Sequence, residues 1–266
     1  MKTALTIAGS DPSGGAGIQA DLKTFSVLGV FGMSAITAVT VQNTLGVKDA
    51  LQIAPELVRR QIDTVVSDIQ ADATKTGMLG SRAIIEAVDD CLARNNLQPY
   101  VCDPVMVSKA GSSLIDDDAV DAMRKMLFVR ATVVTPNLRE AARLTGANVE
   151  AIATTAGARD AARRIADQGA KAVVIKGIDG GDQLIDILLD RGEFLEFAAK
   201  KQPNEKTHGS GCAFSAAITA GLANRMNLVD AIDQAKQLVN MAIQYSDGQG
   251  RGTAPINVLA FAPKKK

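Results

Sequence analysis

Residues 206–212 read Lys-Thr-His-Gly-Ser-Gly-Cys and run directly into the apolar stretch Ala213-Phe214-Ser215-Ala216-Ala217-Ile218. Two glycines there let consecutive backbone N–H groups turn toward one point at a helix N-terminus. Such a point binds anions and stabilises charge developing on a transferring phosphoryl group. Gly209, Ser210, Gly211 and Cys212 are therefore candidate catalytic residues. A thiol at that position is expected to have a lowered pKa and to be partly thiolate at neutral pH. His208, the one histidine, suits a general base, a structural role or a contact at a nucleotide edge.

A second glycine-rich loop, residues 9–17, reads Gly-Ser-Asp-Pro-Ser-Gly-Gly-Ala-Gly. It starts like a P-loop, but Gly15-Ala16 stands where Lys-Ser/Thr is needed. It also matches a loose dinucleotide pattern at Gly15-x-Gly17-x-x-Ala20. The next predicted strand, however, ends in Gln42-Asn43-Thr44 rather than in the acid that holds a ribose. Both readings fail on chemistry. What remains is a flexible, Asp-bearing loop able to lie close to a small ligand.

Acids, amides and a lysine follow other apolar runs. Asp103-Pro104 ends one, and Asn137-x-x-Glu140 opens the helix after another. An Asp and a Glu at neighbouring strand ends can hold Mg²⁺, usually through waters, beside substrate phosphates. The structural alternative is a capping box, Asn137 with Glu140. Lys176-Gly177 ends a further run, where a cation meets nucleotide phosphates or is simply solvated. Gln42 and Met78 supply an amide and a polarizable thioether, which suit a flat polar heteroaromatic ring. The alternative for Met78 is core filling. Gly9, Gln42, Met78, Asp103, Asn137 and Lys176 all fall at carboxyl ends of predicted strands, where ligands bind in open α/β sheets.

The elements that position these residues are read from periodicity. Strands are predicted over 3–9, 35–41, 71–76, 99–103, 131–135 and 171–176. Helices are predicted near 17–28, 55–69, 81–95, 116–127, 138–144 and 155–168, with two more near 212–225 and 229–246. Near-continuous apolar strands alternating with amphipathic helices indicate an α/β fold with a mostly parallel sheet covered on both faces. Residues 183–199 read as an antiparallel hairpin at a sheet edge. No repeat or linker divides the chain, so residues 1–266 are expected to form one domain, with a solvated tail at 263–266.

Composition excludes several classes. The 266 residues carry 29 Lys+Arg against 29 Asp+Glu, and only 3% are aromatic. A zero formal charge with few stacking rings argues against a nucleic-acid partner. Three cysteines without a close pair, Cys91, Cys102 and Cys212, argue against a disulfide framework. Cys91 and Cys102 are expected to be inert core thiols. The N-terminus lacks a signal-peptide apolar region, and no run approaches the roughly 18 apolar residues of a membrane span. The expected location is cytoplasmic.

Residues 9–21, Lys75-Thr76-Gly77-Met78-Leu79, Asp103-Pro104-Val105-Met106, Thr135-Pro136-Asn137-x-x-Glu140 and residues 207–212 occur in one order over nearly the whole chain. Together they resemble the hydroxymethylpyrimidine/phosphomethylpyrimidine kinases of thiamine biosynthesis, within the ribokinase-like superfamily. The resemblance implies an ATP- and Mg²⁺-dependent kinase acting on 4-amino-5-hydroxymethyl-2-methylpyrimidine and then on its monophosphate. It implies that Gln42 binds the pyrimidine, with Gly9, Ala16, Asp21, Met78 and Val105 around it. Asn137, Glu140 and Asp103 would organise Mg²⁺ and the ATP phosphates. Lys176, Thr207 and His208 would belong to the nucleotide side, and residues 209–212 would form the anion hole. The resemblance also suggests a homodimer. Cys212 stands where ribokinase-like sugar kinases place an Asp base, and Ser210 where this branch commonly has Thr. The loop at 107–113 is expected to close over substrate and bring Lys109 to phosphate. The competing expectations are a pyridoxal kinase of the same branch and a non-catalytic pyrimidine-binding protein.

Overall fold

In the computed structural model, which describes residues 1–107, 115–203 and 207–262, the run Ala172-Val173-Val174-Ile175 belongs to a strand covered on both faces. Val173 and Ile175 pack into one hydrophobic core, and Ala172 and Val174 into a second. A strand with two apolar faces needs no polar alternation, which is why it reads as continuous. The same division separates Tyr100 and Cys102 from Val101, and Val134 from Val133. Each fully buried Ile or Val side chain contributes about 1.5–3 kcal/mol relative to exposure.

In chain order the elements begin with β1 (Thr3–Ala8), α1 (Gly17–Val27), β2 (Phe31–Ile36), β3 (Ala38–Asn43), β4 (Gly46–Gln52) and α2 (Pro55–Val66). β5 (Ala73–Thr76), α3 (Arg82–Arg94), β6 (Tyr100–Cys102), α4 (Asp117–Ala122), β7 (Val133–Val134) and α5 (Leu138–Thr145) follow. The chain continues through α6 (Val149–Ile152), α7 (Thr155–Ala166), β8 (Ala172–Asp179), β9 (Gln183–Asp190), β10 (Glu193–Lys200), α8 (Ser210–Ala223) and α9 (Leu228–Gln244). The main sheet has the order β10-β9-β8-β7-β6-β5-β1-β2. From β8 to β2 every pairing is parallel, while β9 and β10 add an antiparallel hairpin at one edge. This is the mostly parallel α/β sheet with an edge hairpin that the sequence predicts. Helices α3, α5 and α7 cover one core, and α8 and α9 the other.

Two expectations need correction. The strand predicted over 35–41 is two strands. β2 stays in the main sheet and β3 leaves it to form a separate two-stranded antiparallel ribbon with β4. Thr37 is the corner: its N–H donates to the Ala8 carbonyl, its hydroxyl donates to the Met78 carbonyl, and its own carbonyl accepts from Ile53. The helix predicted over 116–127 is α4 followed by a π-helical turn, Met123–Leu127. The expectations placed on Lys109 and on the 263–266 tail lie outside the described residues.

Candidate active site

Each parallel strand ends at the same edge of the sheet, and the loops leaving that edge enclose one cleft of about 620 Å³. All sixteen residues singled out from the sequence line it. Gly9 follows β1, Met78 follows β5, Asp103 follows β6, and Asn137 bridges to Lys176 of β8. Gln42 reaches the cleft differently. It sits in β3 of the ribbon, next to a break in register between Val41 and Gln42, rather than at the end of a main-sheet strand.

Helix α8 begins two residues earlier than periodicity suggests, so Ser210, Gly211 and Cys212 form its first turn. Gly209 caps it with φ +80°, a left-handed conformation that favours glycine. The Ser210 N–H is taken by the Thr207 carbonyl. The N–H groups of Gly211 and Cys212 lie where the helix supplies no acceptor, which leaves them available to an anion.

The thiol departs from expectation. Cys212 keeps partial exposure to the cleft. Burial, with the Asp21 and Asp103 carboxylates, nevertheless pushes the thiol up to about 12, against the pull of Lys75 and of the Gly17 N–H. The expected lowering by a helix terminus is outweighed, and the resting form at neutral pH is the thiol. Cys91 and Cys102 are buried core thiols pushed up by burial to about 11 and about 12.

Beside the anion loop, Lys176 Nζ lies 3.1 Å from Asp103 Oδ1. The Asp103 carboxylate also accepts from Thr135 Oγ1 at 3.1 Å and from Ser215 Oγ at 3.0 Å. The capping box at α5 is formed: Asn137 Oδ1 accepts from the N–H groups of Arg139 and Glu140, and Glu140 Oε2 accepts from the Asn137 N–H. The structural reading of this pair therefore holds, and both residues also face the cleft. Burial pushes the Glu140 carboxyl up to about 7, with Lys176 opposing and Asp103 reinforcing. Lys176 is held above its ordinary range: burial lowers it, but Asp103 and Glu140 outweigh that.

Among the described residues no group of three or more His, Cys, Asp and Glu side chains makes a metal cage. The Asp103 carboxylate paired with Lys176 and the nearby Glu140 carboxyl are a donor set that fits a hydrated Mg²⁺ shared with substrate phosphates.

At the far end of the cleft the predicted Asp21 has a partner that sequence reasoning missed, Lys75. Lys75 of β5 and Asp21 of α1 are wholly buried and form an ion pair at 2.8 Å, and Thr6 donates to the same carboxylate oxygen at 2.6 Å. Burial pushes the Asp21 carboxyl up and by itself would push the Lys75 ammonium down. The contact with Asp21 reverses the second effect and holds Lys75 above its ordinary range. A lone lysine inside the buried strand Ala73-Thr74-Lys75-Thr76 was the available signal. The ring of His208, expected on the nucleotide side, meets Asp11 at 2.8 Å and Gln42 at 3.4 Å. A second buried pair, Lys236 with Asp186 at 2.8 Å, lines the cleft between α9 and β9. It had no signature, because its members are 50 positions apart.

A parallel sheet with an edge hairpin, an anion loop at the start of α8, and acids and a lysine around a small-ligand cleft define a small-molecule kinase of the ribokinase-like class. The chain belongs to the phosphomethylpyrimidine kinase family, whose profile matches residues 11–257. It is 42% identical to the hydroxymethylpyrimidine/phosphomethylpyrimidine kinase of Bacillus subtilis, over 97% of this chain and 95% of that one. It is 45% identical to the thiamine biosynthesis bifunctional protein ThiED of Geobacter sulfurreducens, over 97% of this chain and 52% of the relative; the chain thus spans about half of that protein. Among solved structures, the pyridoxal kinase of Staphylococcus aureus in complex with AMP-PCP superposes with a TM-score of 0.90 at 37% identity, covering 100% of this chain and 96% of the other.

Proposed function

We propose that residues 1–266 act as one kinase unit, moving the γ-phosphoryl group of ATP to the hydroxymethyl oxygen of 4-amino-5-hydroxymethyl-2-methylpyrimidine, and then to the resulting monophosphate, in thiamine biosynthesis. The carrying observation is the convergence of all sixteen predicted residues on one cleft in a chain of this family. In each step an O–Pγ bond forms, the bond between Pγ and its bridging oxygen breaks and ADP leaves; in the first step the acceptor's hydroxyl proton is released to water.

Gln42 reads the ring, with Gly9, Ala16, Asp21, Met78 and Val105 around it. The turn Gly209-Ser210-Gly211-Cys212 holds the transferring group, with the N–H groups of Gly211 and Cys212 directed to it. Lys176, Asn137 and Thr207 face the nucleotide phosphates. When bound, Mg²⁺ neutralises charge on those phosphates, and Asp103 and Glu140 would hold it through waters. With its thiol near 12, Cys212 serves as part of the cradle rather than as a preformed thiolate base. A loose phosphoryl-transfer transition state needs positioning and charge stabilisation more than a strong base.

The likeness to a pyridoxal kinase supports a second reading, in which pyridoxal is the acceptor. The proposal includes a homodimer, supported by exposed apolar side chains on the ribbon, where Val39 faces its cross-strand partner Leu51. It also includes a cytoplasmic location. No helix among the described residues is long and apolar enough to cross a membrane. Phosphate-resolved chromatography of a reaction with ATP, Mg²⁺ and the hydroxymethylpyrimidine tests the main reading. Monophosphate followed by diphosphate is expected; folded protein that yields neither overturns it.

A further inference from the structure

The pyrimidine end of the cleft contains a chain of contacts, Asp11–His208–Gln42, of which the kinase reading gives a task to Gln42 alone. Asp11 is buried in the first glycine loop. Its Oδ1 accepts from the Ser13 N–H at 2.9 Å and from the Ser13 hydroxyl at 2.7 Å. Its Oδ2 accepts from the Ala16 N–H at 2.8 Å and lies 2.8 Å from His208 Nε2. Burial alone would raise this carboxyl, but the hydrogen bonds from His208 and Ser13 outweigh it and hold it at about 2. An ionised carboxylate offers only acceptors, so the nitrogen facing it, His208 Nε2, carries a proton.

The imidazole is locked in that pose. A Cβ on Gly15 would stand 2.4 Å from His208 Cδ2, so the ring lies directly on the first loop. The His208 backbone N–H donates to Ala254, and its carbonyl accepts from Ile256.

Gln42 Nε2 lies 3.4 Å from the same ring nitrogen. A ring nitrogen that already donates to a carboxylate has no lone pair left for an amide N–H. Amide oxygen and nitrogen are told apart by their partners. Here the partner carries an N–H, which assigns the carbonyl oxygen to the end turned to it, an exchange of the two amide ends, and turns the NH₂ into the cleft. We infer that Asp11 and His208 act as positioning residues that set the polarity of the Gln42 amide, so that Gln42 offers donors and selects a flat ring with an unprotonated nitrogen in its edge. A pyridinium-type ring, whose nitrogen carries a proton, meets Gln42 donor to donor and is disfavoured. This rests on the reading that Gln42 faces the substrate ring.

Because the sequence has a single histidine, ¹⁵N-histidine NMR of tag-free protein reads this ring without ambiguity. A protonated Nε2 is expected; a bare Nε2 with the proton on Nδ1 overturns the inference. KM values are then compared for His208→Ala, Gln42→Ala, the double variant and His208→Gln, whose side-chain amide can still donate to Asp11. Thermal melts check that each variant is folded. His208→Ala is expected to raise KM for the hydroxymethylpyrimidine about tenfold, to leave KM for ATP within about twofold, and to add nothing to Gln42→Ala; His208→Gln is expected to recover most of the loss. If Gln42→Ala raises KM and the His208 effect simply adds to it, the inference fails and the kinase reading stands. If Gln42→Ala leaves KM unchanged, Gln42 does not face the ring, and the inference falls with that reading.

Discussion

Gly209 and Gly15 bring the two glycine loops into direct contact. A Cβ on Gly209 would stand 1.7 Å from the Gly15 carbonyl oxygen, and Gly209 itself has φ +80°. The first glycine loop and the turn that opens α8 are therefore packed against each other with no room for a side chain between them. Gly209→Ala is expected to displace the anion hole and lower kcat about 100-fold or more, the scale of losing one oxyanion donor. Gly211→Ala, whose methyl would lie 3.6 Å from Lys176 Nζ in ordinary contact, is expected to keep the melting temperature of the parent. Steady-state rates and melts of the two variants check this. A Gly209→Ala enzyme with parental kcat would contradict the loop contact.

The Lys75–Asp21 pair is buried on all sides. Removing one member leaves an uncompensated charge, so Lys75→Met is expected to destabilise the fold by about 3–5 kcal/mol in urea unfolding. The double change Lys75→Met with Asp21→Leu is expected to recover much of that loss, because no charge then remains buried. Independent, additive losses would show that the two groups do not act as a pair.

Glu140 gives the free protein a pH dependence of defined sign. Its carboxyl is raised to about 7 in the folded state from an ordinary value of 4.5, chiefly by burial. The native state therefore binds more protons than the unfolded chain between about pH 4.5 and 7, and this group's contribution to stability falls as pH rises through that window. The slope is at most about 1.4 kcal/mol per pH unit. Metal-free urea titrations of parent and Glu140→Gln check it: the variant should lack this component. Identical slopes would place the Glu140 carboxyl at its ordinary value.

With its thiol near 12, Cys212 is expected to react slowly with iodoacetamide at pH 7. The rate should rise close to tenfold per pH unit up to pH 10, because the thiolate is the nucleophile. Mass spectrometry of the peptide carrying Cys212 follows the reaction. A rate that levels off below pH 8 would restore the thiolate that the helix terminus alone suggests.

The cleft is legible in the sequence because its residues follow apolar runs. Asp103, Asn137 and Lys176 each stand where a buried strand ends, and a parallel sheet brings those ends to one edge. The ribbon is not legible. β4, Gly-Val-Lys-Asp-Ala-Leu-Gln, is mostly exposed and has no apolar face to reveal it, and β2 runs into β3 through Thr37 without a turn residue. The raised pKa of Cys212 is not legible because its chief cause is burial, which the fold creates, and the carboxylates that add to it come from α1 and from the end of β6, far away in sequence. His208 and Asp11 lie 197 positions apart, and only the contact between the two loops joins them.

The central claim, that the acceptor is the aminopyrimidine, is tested most directly by competition. Hydroxymethylpyrimidine and pyridoxal are supplied at equal concentration with limiting ATP and Mg²⁺, and the phosphorylated products are resolved and counted. The account predicts that pyrimidine mono- and diphosphate exceed pyridoxal phosphate by about tenfold or more, since a ring nitrogen that accepts from Gln42 is preferred over one that does not. A predominance of pyridoxal phosphate would contradict it and assign the cleft to the other vitamin.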